Sequence, residues 1–571
     1  MSGAHIGIDL GTTYSLVATL VDDEPQVLEN AVGELLTPSA VSLTDDGELL
    51  VGAVARARAT THPKATALAF KRDMGTDRLV SLGDREMRPE ELSALVLGAL
   101  KRDAEAVLGQ SIAEAVVTVP AYFGELGRRA TRDACELAGL HVERIINEPT
   151  AAALAYGLHE RHREMRAVVL DLGGGTFDVT VLEIMEGVIE IQASAGDSRL
   201  GGEDFVDRLS DHVVAELRQR YDIDLASDPR GLARVRDAVE MAKRRLSKDA
   251  RTQIALPRLG ASARDVELEL TLDQAEELWQ PLLGRVRGPI RRALGDAGLK
   301  PEDVDEVLLV GGATRMPCVV QLAATLFGRL PLRTLPPDFA VAHGAAIQAA
   351  LKRGDAAVAD MVVTDVAPFT LGIAVGDKVG SHEVSGLFAP ILDRGTVLPA
   401  SRVRTFSTIS NGQTQINVEV YQGEHSICRE NQKLGELLLK KIPAKPAGEE
   451  SVDVRFSYDM NGILDVDATI KSTGRTSTLT IDRGDGRLTA SQRKEIKKRL
   501  QTLKFHPRDA LPNATALARA EALYLELVGT ERDILSDAMR SMRTALESQD
   551  PVLIEQARST LLGLAHDLAQ R

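Results

Sequence analysis

Two glycine-rich turns with the same residue pattern constrain the fold of this chain more than any other feature. The first spans residues 9–13 and reads Asp-Leu-Gly-Thr-Thr, and the second spans residues 171–176 and reads Asp-Leu-Gly-Gly-Gly-Thr. An apolar run precedes each turn and β-type residues follow it, so each segment predicts a strand, a tight turn and a second strand. Two such hairpins indicate two similarly built lobes that face each other across a phosphate group.

The residue types in these turns suit a phosphate and a hydrated magnesium ion. A glycine turn lets successive backbone N–H groups converge on an anion, and threonine hydroxyls add hydrogen bonds to phosphate oxygens. Carboxylates repel phosphate, whereas Mg²⁺ prefers oxygen ligands and keeps much of its water shell. The candidate phosphate-binding hydroxyls are those of Thr12, Thr13 and Thr176, and the candidate carboxylates for a hydrated Mg²⁺ are those of Asp9, Asp171 and Asp178.

The turns differ from two well-known nucleotide-binding loops. A P-loop has the pattern Gly-x-x-x-x-Gly-Lys-Ser/Thr before a helix, and the sequence lacks this pattern. A dinucleotide-binding loop has the pattern Gly-x-Gly-x-x-Gly at the start of a helix, whereas β-type residues follow both turns here. Ordinary hairpins, whose glycines serve only the turn, are the structural alternative. The matching Asp and Thr in both segments favour the phosphate-binding interpretation.

The composition argues against several classes of function. The net charge is −15 and aromatic residues make up only 3%, which disfavours a nucleic-acid-binding surface. The cysteines Cys135, Cys318 and Cys428 are widely spaced, as is typical of proteins in a reducing compartment. No run approaches the roughly 20 apolar residues of a membrane helix, and the N-terminal residues do not form an export signal. We therefore expect a cytoplasmic protein that binds neither nucleic acid nor membrane.

The periodicity of the apolar residues divides the chain into four parts. Residues 1–356 alternate strand-like runs with helical stretches such as Pro89–Leu108, which predicts an α/β domain. Residues 357–366 form a short apolar linker. Residues 367–486 alternate apolar and polar residues and predict an all-β sandwich. Residues 487–571 have amphipathic patterns without a heptad repeat, which predicts a small packed helical unit.

Several polar residues outside the two turns have two interpretations on the sequence alone. Lys71 is either a solvated surface cation or a ligand-facing one, and Glu148 is either a helix N-terminal charge or a group that orients water. Residues 311–315 form a third glycine turn at a strand end, which indicates a ligand site. The residues that share one helix face, either for solvent or for a ligand, are Glu240, Lys243, Arg244 and Ser247.

Taken together, the motifs resemble the DnaK-type heat-shock chaperones, whose ATPase domain shares the actin and sugar-kinase fold. The matching segments are residues 7–15, 70–72, 117–123, 145–158, 169–181, 309–317, 364–373 and 420–424. The short C-terminal part and the linker most resemble the HscC branch of the family. The resemblance implies a multidomain chaperone with an α/β actin-like (ribonuclease-H-like) ATPase domain, a β-sandwich peptide-binding domain and a short α-helical lid.

The resemblance implies that the cleft between the lobes binds ATP or ADP with Mg²⁺ and K⁺ and hydrolyses ATP to ADP and phosphate. The implied catalytic residues are Lys71, Glu148, Asp171 and Thr176, and the implied Mg²⁺ residues are Asp9, Asp171 and Asp178. The implied nucleotide-binding residues are Gly11, Thr12, Thr13, Tyr14, Gly173, Gly174, Gly175, Glu240, Lys243, Arg244, Ser247, Gly311, Gly312 and Arg315. This favours the functional interpretation of Lys71 and Glu148.

The resemblance also implies unfolded or extended client peptides and a J-domain cochaperone as partners, with ATP hydrolysis switching peptide affinity through the linker. The implied peptide-binding residues are Ile373, Phe406, Ile409, Ile416 and Val418. On the sequence alone, these apolar residues fit a sandwich core equally well. The implied interdomain and cochaperone-binding residues are Pro120, Arg128, Arg144, Asn147, Thr150 and Asp365.

Three segments depart from the pattern of full-length DnaK. The segment between Arg72 and Pro89 is shorter, which leaves the exchange factor open, and residues 361–364 replace a leucine-rich linker. The helical end is short for a full lid, which favours a specialised chaperone. Two rival functions stay open: an actin-fold metabolite kinase, and a scaffold that binds peptides and keeps nucleotide only for stability. The kinase does not explain the β and helical parts.

Overall fold

A computed structural model describes residues 5–570 apart from residues 23, 143–144, 158–163, 186–187, 261–262, 333, 354–361, 364, 380–381, 460–463, 482–487, 502 and 506–509. The strands, in chain order, are β1 (Ile6–Asp9), β2 (Tyr14–Val21), β3 (Glu24–Val27), β4 (Thr37–Pro38), β5 (Ala40–Leu43), β6 (Glu48–Val51), β7 (Thr66–Leu68), β8 (Val80–Leu82), β9 (Arg85–Met87), β10 (Ala115–Val119), β11 (Ile145–Asn147), β12 (Met165–Leu172), β13 (Phe177–Met185), β14 (Val188–Asp197), β15 (Arg251–Leu259), β16 (Arg264–Thr271), β17 (Glu306–Val310), β18 (Val362–Val363), β19 (Asp365–Val366), β20 (Leu371–Val379), β21 (His382–Leu392), β22 (Val397–Leu398), β23 (Ala400–Ser407), β24 (Gln415–Gln422), β25 (Gln432–Lys440), β26 (Ser451–Tyr458), β27 (Leu464–Ile470), β28 (Thr476–Ile481) and β29 (Lys504–Phe505).

The α-helices, in chain order, are α1 (Ala53–Ala57), α2 (Pro89–Leu108), α3 (Glu125–Leu137), α4 (Glu148–Ala155), α5 (Gly202–Tyr221), α6 (Pro229–Leu246), α7 (Leu272–Asp296), α8 (Pro317–Phe327), α9 (Ala340–Arg353), α10 (Ala490–Gln501), α11 (Leu511–Tyr524), α12 (Gly529–Ser548) and α13 (Pro551–Gln570). The bounds of α2 coincide with the helix that the sequence predicts. No helix in the described part of the chain has the length and apolarity that a membrane span requires.

Two mixed sheets repeat one strand arrangement around the two predicted hairpins. The order is β11-β10-β1-β2-β3 in the first sheet and β17-β12-β13-β14-β18 in the second. In each sheet the hairpin strands are antiparallel, and a later strand pairs in parallel with the first hairpin strand: β10 with β1, and β17 with β12. The duplication therefore extends from the turns to the sheets, and each sheet is the centre of one lobe.

Helices α4 and α9 fill the space between the two sheets, where the chain segments approach very closely. A Cβ atom on Gly344 of α9 would lie 1.7 Å from the carbonyl oxygen of Ala151 in α4. A Cβ atom on Gly7 of β1 would lie 2.2 Å from the backbone nitrogen of Ala346 in α9. Glycine is needed at both positions because any side chain would push these elements apart.

Each lobe carries a smaller appendage, here called an arm. The first arm consists of β5, β6, β7 and α1, in which the strands pair in the order β6-β5-β7. The second arm consists of α6 and the hairpin of β15 and β16. Arg56 in α1 and Asp237 in α6 form an ion pair at 3.1 Å. The two arms therefore contact each other directly.

The linker pairs with the second sheet, and a β region follows it. Strand β18 extends the second sheet in parallel to β14, with Val362 opposite Val188 and Val363 opposite Ile189. Strand β19 pairs with β22, while residues 357–361 and 364 of the predicted linker lie outside the described residues. Strands β20 to β28 contribute two four-stranded sheets, β21-β20-β24-β25 and β23-β26-β27-β28, which share one apolar core.

The C-terminal helices lie against the first lobe and its arm. Leu488, Ile496 and Leu500, in and just before α10, belong to the apolar core of the first lobe. Arg493 and Arg499 of α10 form ion pairs with carboxylates on α3 and α2. The backbone of β29 extends the sheet of the first arm in parallel to β6. Helices α11, α12 and α13 then pack on one another around a core of their own.

Candidate functional site

A cleft of about 660 Å³ lies between the two lobes, and all three glycine turns line it. The predicted site residues that line it are Asp9, Gly11, Thr12, Thr13, Tyr14, Lys71, Glu148, Asp171, Gly173, Gly174, Thr176, Glu240, Lys243, Arg244, Ser247, Gly311, Gly312 and Arg315. These residues come from widely separated parts of the sequence, so it is the fold that brings them together. A cleft of this size can hold a ligand as large as a nucleotide.

The turns of the two lobes meet at their tips. A Cβ atom on Gly174 would lie 2.0 Å from Thr13 Oγ1, and one on Gly175 would lie 2.7 Å from Thr12 Oγ1. Glycine at these positions therefore lets the backbones of the two turns come together and leaves their N–H groups accessible. The Gly175 carbonyl accepts a hydrogen bond from Arg72 Nε at 3.2 Å. Gly175 packs behind Thr12 and does not belong to the residues that line the cleft.

Lys71 and Glu148 form a buried ion pair in the cleft. Lys71 Nζ donates to Glu148 Oε1 at 2.9 Å, and the two side chains are 5% and 10% exposed. Lys71 lies in a single-turn 3-10 helix, Phe70–Asp73, and Glu148 is the first residue of α4. The interpretation of Lys71 as a solvated surface cation is therefore wrong. Fixed charges act strongly at such a position because water screens them weakly.

Three aspartates beside this ion pair have raised pKa values. Burial, followed by repulsion from Glu148, raises the pKa of Asp9 to about 7. The same two causes raise the pKa of Asp178 to about 7. Burial and repulsion from Glu148 also raise the pKa of Asp171 well above its ordinary value, with further repulsion from the other two aspartates. The cluster therefore has a surplus of negative charge that a bound cation would relieve.

The oxygen atoms of this cluster suit a hydrated cation better than a closed metal cage. Asp171 Oδ2 and Asp178 Oδ2 are buried and accept no hydrogen bond. Asp178 lies outside the cleft lining, and its Oδ1 accepts a hydrogen bond from the Tyr122 backbone N–H at 2.9 Å. In the described ranges, no three acidic, His or Cys side chains lie close enough together to bind a metal ion directly. The donor set fits Mg²⁺ that keeps its water shell, with Asp9 and Asp171 facing it from the two lobes.

The predicted face of α6 lines the cleft and contacts the first lobe. Glu240 forms ion pairs with Lys243 at 2.6 Å and with Arg244 at 2.7 Å. Burial alone would raise the pKa of Glu240, but these two cations lower it overall. Arg244 Nη2 also donates to the Tyr14 hydroxyl at 3.0 Å, so the second arm contacts the first turn. The side chains of Glu240 and Lys243 are largely buried in the cleft wall, so the interpretation as ordinary solvated charge does not hold for these two residues.

The acidic residues in the cleft lining that were not predicted are Glu203, Asp249 and Asp338, and two of them make side-chain hydrogen bonds to predicted residues. Glu203 Oε1 accepts a hydrogen bond from Thr13 Oγ1 at 3.1 Å, across the two lobes. Asp338 Oδ2 accepts one from Arg315 Nε at 3.0 Å. The Gly201-Gly202 pair before Glu203 is a sequence signal that could have located the first of them. No comparable glycine pair directly precedes Asp338 in the sequence. It reaches Arg315 only through the fold.

Arg128 connects the cleft to the loop that follows β10. Its Nη2 donates to Asn147 Oδ1 at 2.6 Å, and Asn147 directly precedes Glu148. Its Nε donates to the Phe123 carbonyl at 3.1 Å and its Nη2 to the Ala121 carbonyl at 3.3 Å. The side chain is buried, so this network is rigid. The network therefore connects Ala121 and Phe123 with Asn147, the residue before Glu148.

The same loop is where the β region contacts the first lobe. The ring centroids of Tyr122 and Phe369 lie 4.2 Å apart. The Glu125 backbone N–H donates to Gln422 Oε1 at 3.1 Å, and the Tyr458 hydroxyl donates to Glu125 Oε2 at 3.3 Å. The Arg128 network therefore links the interlobe cleft to the β region through one short segment.

For the remaining predicted interdomain residues, the structure gives fewer side-chain contacts. Pro120 is buried and directly follows β10, at the start of this loop. Thr150 is buried in α4, and its Oγ1 atom has no hydrogen-bond partner among the described residues. For Asp365, only the backbone is described, where it pairs with Leu398. Arg144 lies outside the described residues.

The predicted peptide-binding residues differ in exposure. Ile373 in β20 and Val418 in β24 are buried and belong to the core between the two β sheets. Phe406 and Ile416 are half-buried and pack against that core. Ile409 is 38% exposed. The core interpretation therefore describes Ile373 and Val418 in this conformation, while the other three keep surface that can contact a ligand.

Known proteins and a protein-family model match most of the chain. The model of the Hsp70 protein family matches residues 5–80 and 78–560. Chaperone protein DnaK of Thermotoga neapolitana is 45% identical over 483 residues, which cover 83% of this chain and 80% of the relative. Chaperone protein DnaK of Thermotoga petrophila is 45% identical over 506 residues, which cover 87% of this chain and 83% of the relative. The matches include the β region and most of the C-terminal helices.

Proposed function

Because the chain belongs to the Hsp70 family and is an ATP-hydrolysing chaperone, we propose that its interlobe cleft binds Mg-ATP and switches the peptide affinity of the β region. One observation carries this proposal. Eighteen predicted residues from separate motifs line one cleft between two lobes of the same strand arrangement. This geometry favours two lobes that close on one nucleotide, with the phosphates at the paired turns and the adenosine at α6.

Four residues are proposed to carry the hydrolysis. The ammonium of Lys71 neutralises negative charge that develops on the γ-phosphate, and the Glu148 carboxylate orients the attacking water. Thr176 donates a hydrogen bond to a phosphate oxygen, and Asp171 holds water near the reacting phosphate. When bound, Mg²⁺ supplies neutralisation of the phosphate charge, and Asp9 and Asp171 would hold it through water, with Asp178 supporting them from behind. K⁺ is proposed as a second cation at the phosphates.

Coupling between the cleft and the β region is proposed to run through Arg128. Glu148 senses the γ-phosphate, and the adjacent Asn147 is held by Arg128. Arg128 also holds the loop that contacts Gln422 and Phe369 of the β region. Loss of the γ-phosphate would shift Glu148, loosen this loop and weaken the contact. A shift in one equilibrium by two separate ligands is what allosteric coupling requires.

The linker is proposed to be the switch between two states. In the structure, β18 is an extra strand of the second sheet, which corresponds to the docked state favoured by ATP. Hydrolysis would release β18, separate the β region from the first lobe and tighten peptide binding. Extended peptides would bind by strand-like hydrogen bonds, with an apolar side chain near Phe406, Ile409 and Ile416. Ile373 and Val418 would form the base of that pocket.

Finer assignments complete the proposal. We place the ATPase domain at residues 1–356, the linker at 357–366, the peptide-binding domain at 367–486 and the helical part at 487–571. The linker sequence supports membership of the HscC branch. A J-domain cochaperone is proposed to contact the surface near Arg144, Asn147, Thr150 and Asp365. The family membership disfavours the metabolite kinase and the non-hydrolysing scaffold.

The ratio of ATP turnover with and without a peptide tests the coupling route. The wild-type chain should show several-fold stimulation by an extended apolar peptide, and Arg128→Ala should lose it. Arg166→Ala is the matched control, because Arg166 lies exposed on β12, away from the Arg128 network, and pairs with Glu183 of the neighbouring strand β13. Undiminished stimulation in Arg128→Ala would contradict the route. A phosphorylated small molecule in place of free phosphate would support the kinase.

A further inference from the structure

The C-terminal helices contact both arms of the nucleotide cleft. On the first arm, Ala518 of α11 is buried among Leu50, Val54 and Ala55. Arg519, the next residue, forms an ion pair with Glu34 of the first lobe at 2.6 Å. This contact joins α11 to α1 and β6 through apolar packing, which is the stronger part of the attachment.

On the second arm, the end of α11 contacts α6. Arg234 Nη2 of α6 donates to the Leu525 carbonyl at 3.0 Å, and the Arg234 side chain is largely buried. Glu526 follows directly, close enough to Arg234, Arg245 and Asp237 of the second arm for their charges to affect it. Burial, followed by repulsion from Asp237, raises the pKa of Glu526 to about 7. The Arg234–Leu525 hydrogen bond therefore holds the end of α11 against α6.

The two contacts lie on either side of the place where the arms meet. Arg56 of the first arm and Asp237 of the second form the direct ion pair between them. Asp237 also lies near Glu526. Helix α11 therefore runs from one arm to the other beside this ion pair, and the rest of the helical unit, α12 and α13, packs behind it through a common core.

We propose that the C-terminal helical unit, α11 to α13, is an intramolecular clamp that holds the two arms together and slows nucleotide release. A bound nucleotide leaves when the arms separate, since residues of the second arm, such as Arg244, face the cleft from α6. Separation of the arms would have to break either the apolar contact of Ala518 or the contact of Leu525 and Glu526 with the second arm. The chain thereby controls its own nucleotide exchange, a role beyond covering a peptide site.

The proposal rests on the proposed nucleotide site, and the experiment separates the two. The full-length chain is loaded with a fluorescent, non-hydrolysable ATP analogue, which favours the docked state, and its release is followed by stopped-flow fluorescence after a chase with excess ATP. If the analogue does not bind at all, the nucleotide site itself is wrong. If it binds, the release rate tests the clamp.

Two substitutions loosen the clamp at opposite ends. Ala518→Arg places a charge in the packed contact with the first arm, and Glu526→Lys places a cation beside Arg234 and Arg245. Both should speed release about tenfold, while Ser541→Arg, on an exposed face of α12, should leave it unchanged. Wild-type release rates in both variants would overturn the proposal. An effect of Ala518→Arg alone would also overturn it, because a clamp needs both anchors.

If Ala518→Arg impairs folding, exchanging the charges of the Arg519–Glu34 ion pair tests the same contact. Arg519→Glu breaks the ion pair with Glu34 and should speed release by a few-fold. The double variant Arg519→Glu/Glu34→Arg restores the pair with reversed charges and should return the rate toward wild type. Equal release rates in the single and double variants would contradict a role of this contact in clamping.

Discussion

Replacement of Lys71 by methionine tests the chemistry of the cleft most specifically. The Lys71 ammonium is held 2.9 Å from Glu148 Oε1, and its side chain is only 5% exposed. At this distance and an effective dielectric constant of about 20, the attraction between unit charges is roughly 6 kcal/mol before desolvation. Removal of one such fixed group from a reacting phosphate costs about 2.7–4 kcal/mol, or about 10²–10³ in rate.

The assay is single-turnover hydrolysis of prebound ATP, which separates chemistry from binding and release. Lys71→Met should slow hydrolysis by about 10²–10³-fold, while the nucleotide Kd changes by less than about tenfold. Lys64→Met is the matched control, because Lys64 is an exposed lysine of the same lobe. Hydrolysis within about threefold of the wild-type rate in Lys71→Met would refute the proposed role of Lys71.

In the same variant, the loss of stability should depend on pH, in a direction set by the pKa values of the nearby aspartates. Asp9 and Asp178 have folded-state pKa values of about 7, above the ordinary 3.8. The folded state therefore binds more protons than the unfolded chain between these values, so stability falls as pH rises from about 4 to about 7. Loss of the Lys71 charge increases the repulsion, and the destabilisation should be larger at pH 8 than at pH 5. An equal loss at both pH values would contradict this electrostatic account.

Three further predictions follow from particular contacts. Gly344→Ala should destabilise the chain by at least about 1–3 kcal/mol in denaturant unfolding, because its Cβ would overlap a carbonyl of α4, whereas Gly563→Ala, with open space around it, should be neutral or stabilising. Binding of Mg-ATP should release protons near pH 7 from Asp9 and Asp178, so affinity should rise between about pH 6 and pH 8; calorimetry in buffers of different ionisation enthalpy that detects no proton release would contradict this. Val363→Pro should remove a backbone donor of β18 and abolish the acceleration of peptide release by ATP, while single-turnover hydrolysis continues.

Local patterns predicted many elements of the fold and the three glycine turns of the cleft, whereas the functional interpretation of Lys71, Glu148 and the face of α6 came from the family resemblance. The glycine turns predicted both hairpins because glycines between two apolar β-type runs are typical of a tight turn that joins two strands. Helix α2 was predicted with its observed bounds, since Pro89 starts it and Gly109 ends it in the left-handed conformation. The residue types that bind phosphate and cations are short-range signals, so they can be recognised before the fold is known.

Long-range arrangements could not be predicted in the same way. The amphipathic pattern of α10 shows that one face is buried, but it does not show that the covering surface is the first lobe. Asp178 lies close to Asp171, but its position behind the cleft lining depends on the Tyr122 loop. Glu203 reaches Thr13 only because the two lobes face each other. These contacts depend on the packing of lobes and not on local periodicity.

The central claim is that nucleotide in the cleft sets the lifetime of peptide on the β region, and one measurement tests it directly. A fluorescently labelled extended apolar peptide is bound to the full-length chain with ADP, and its release is followed by stopped-flow fluorescence after addition of ATP or of more ADP. Release should be about 5- to 150-fold faster with ATP, the range of ordinary allosteric coupling. Equal release rates with ATP and ADP would contradict it.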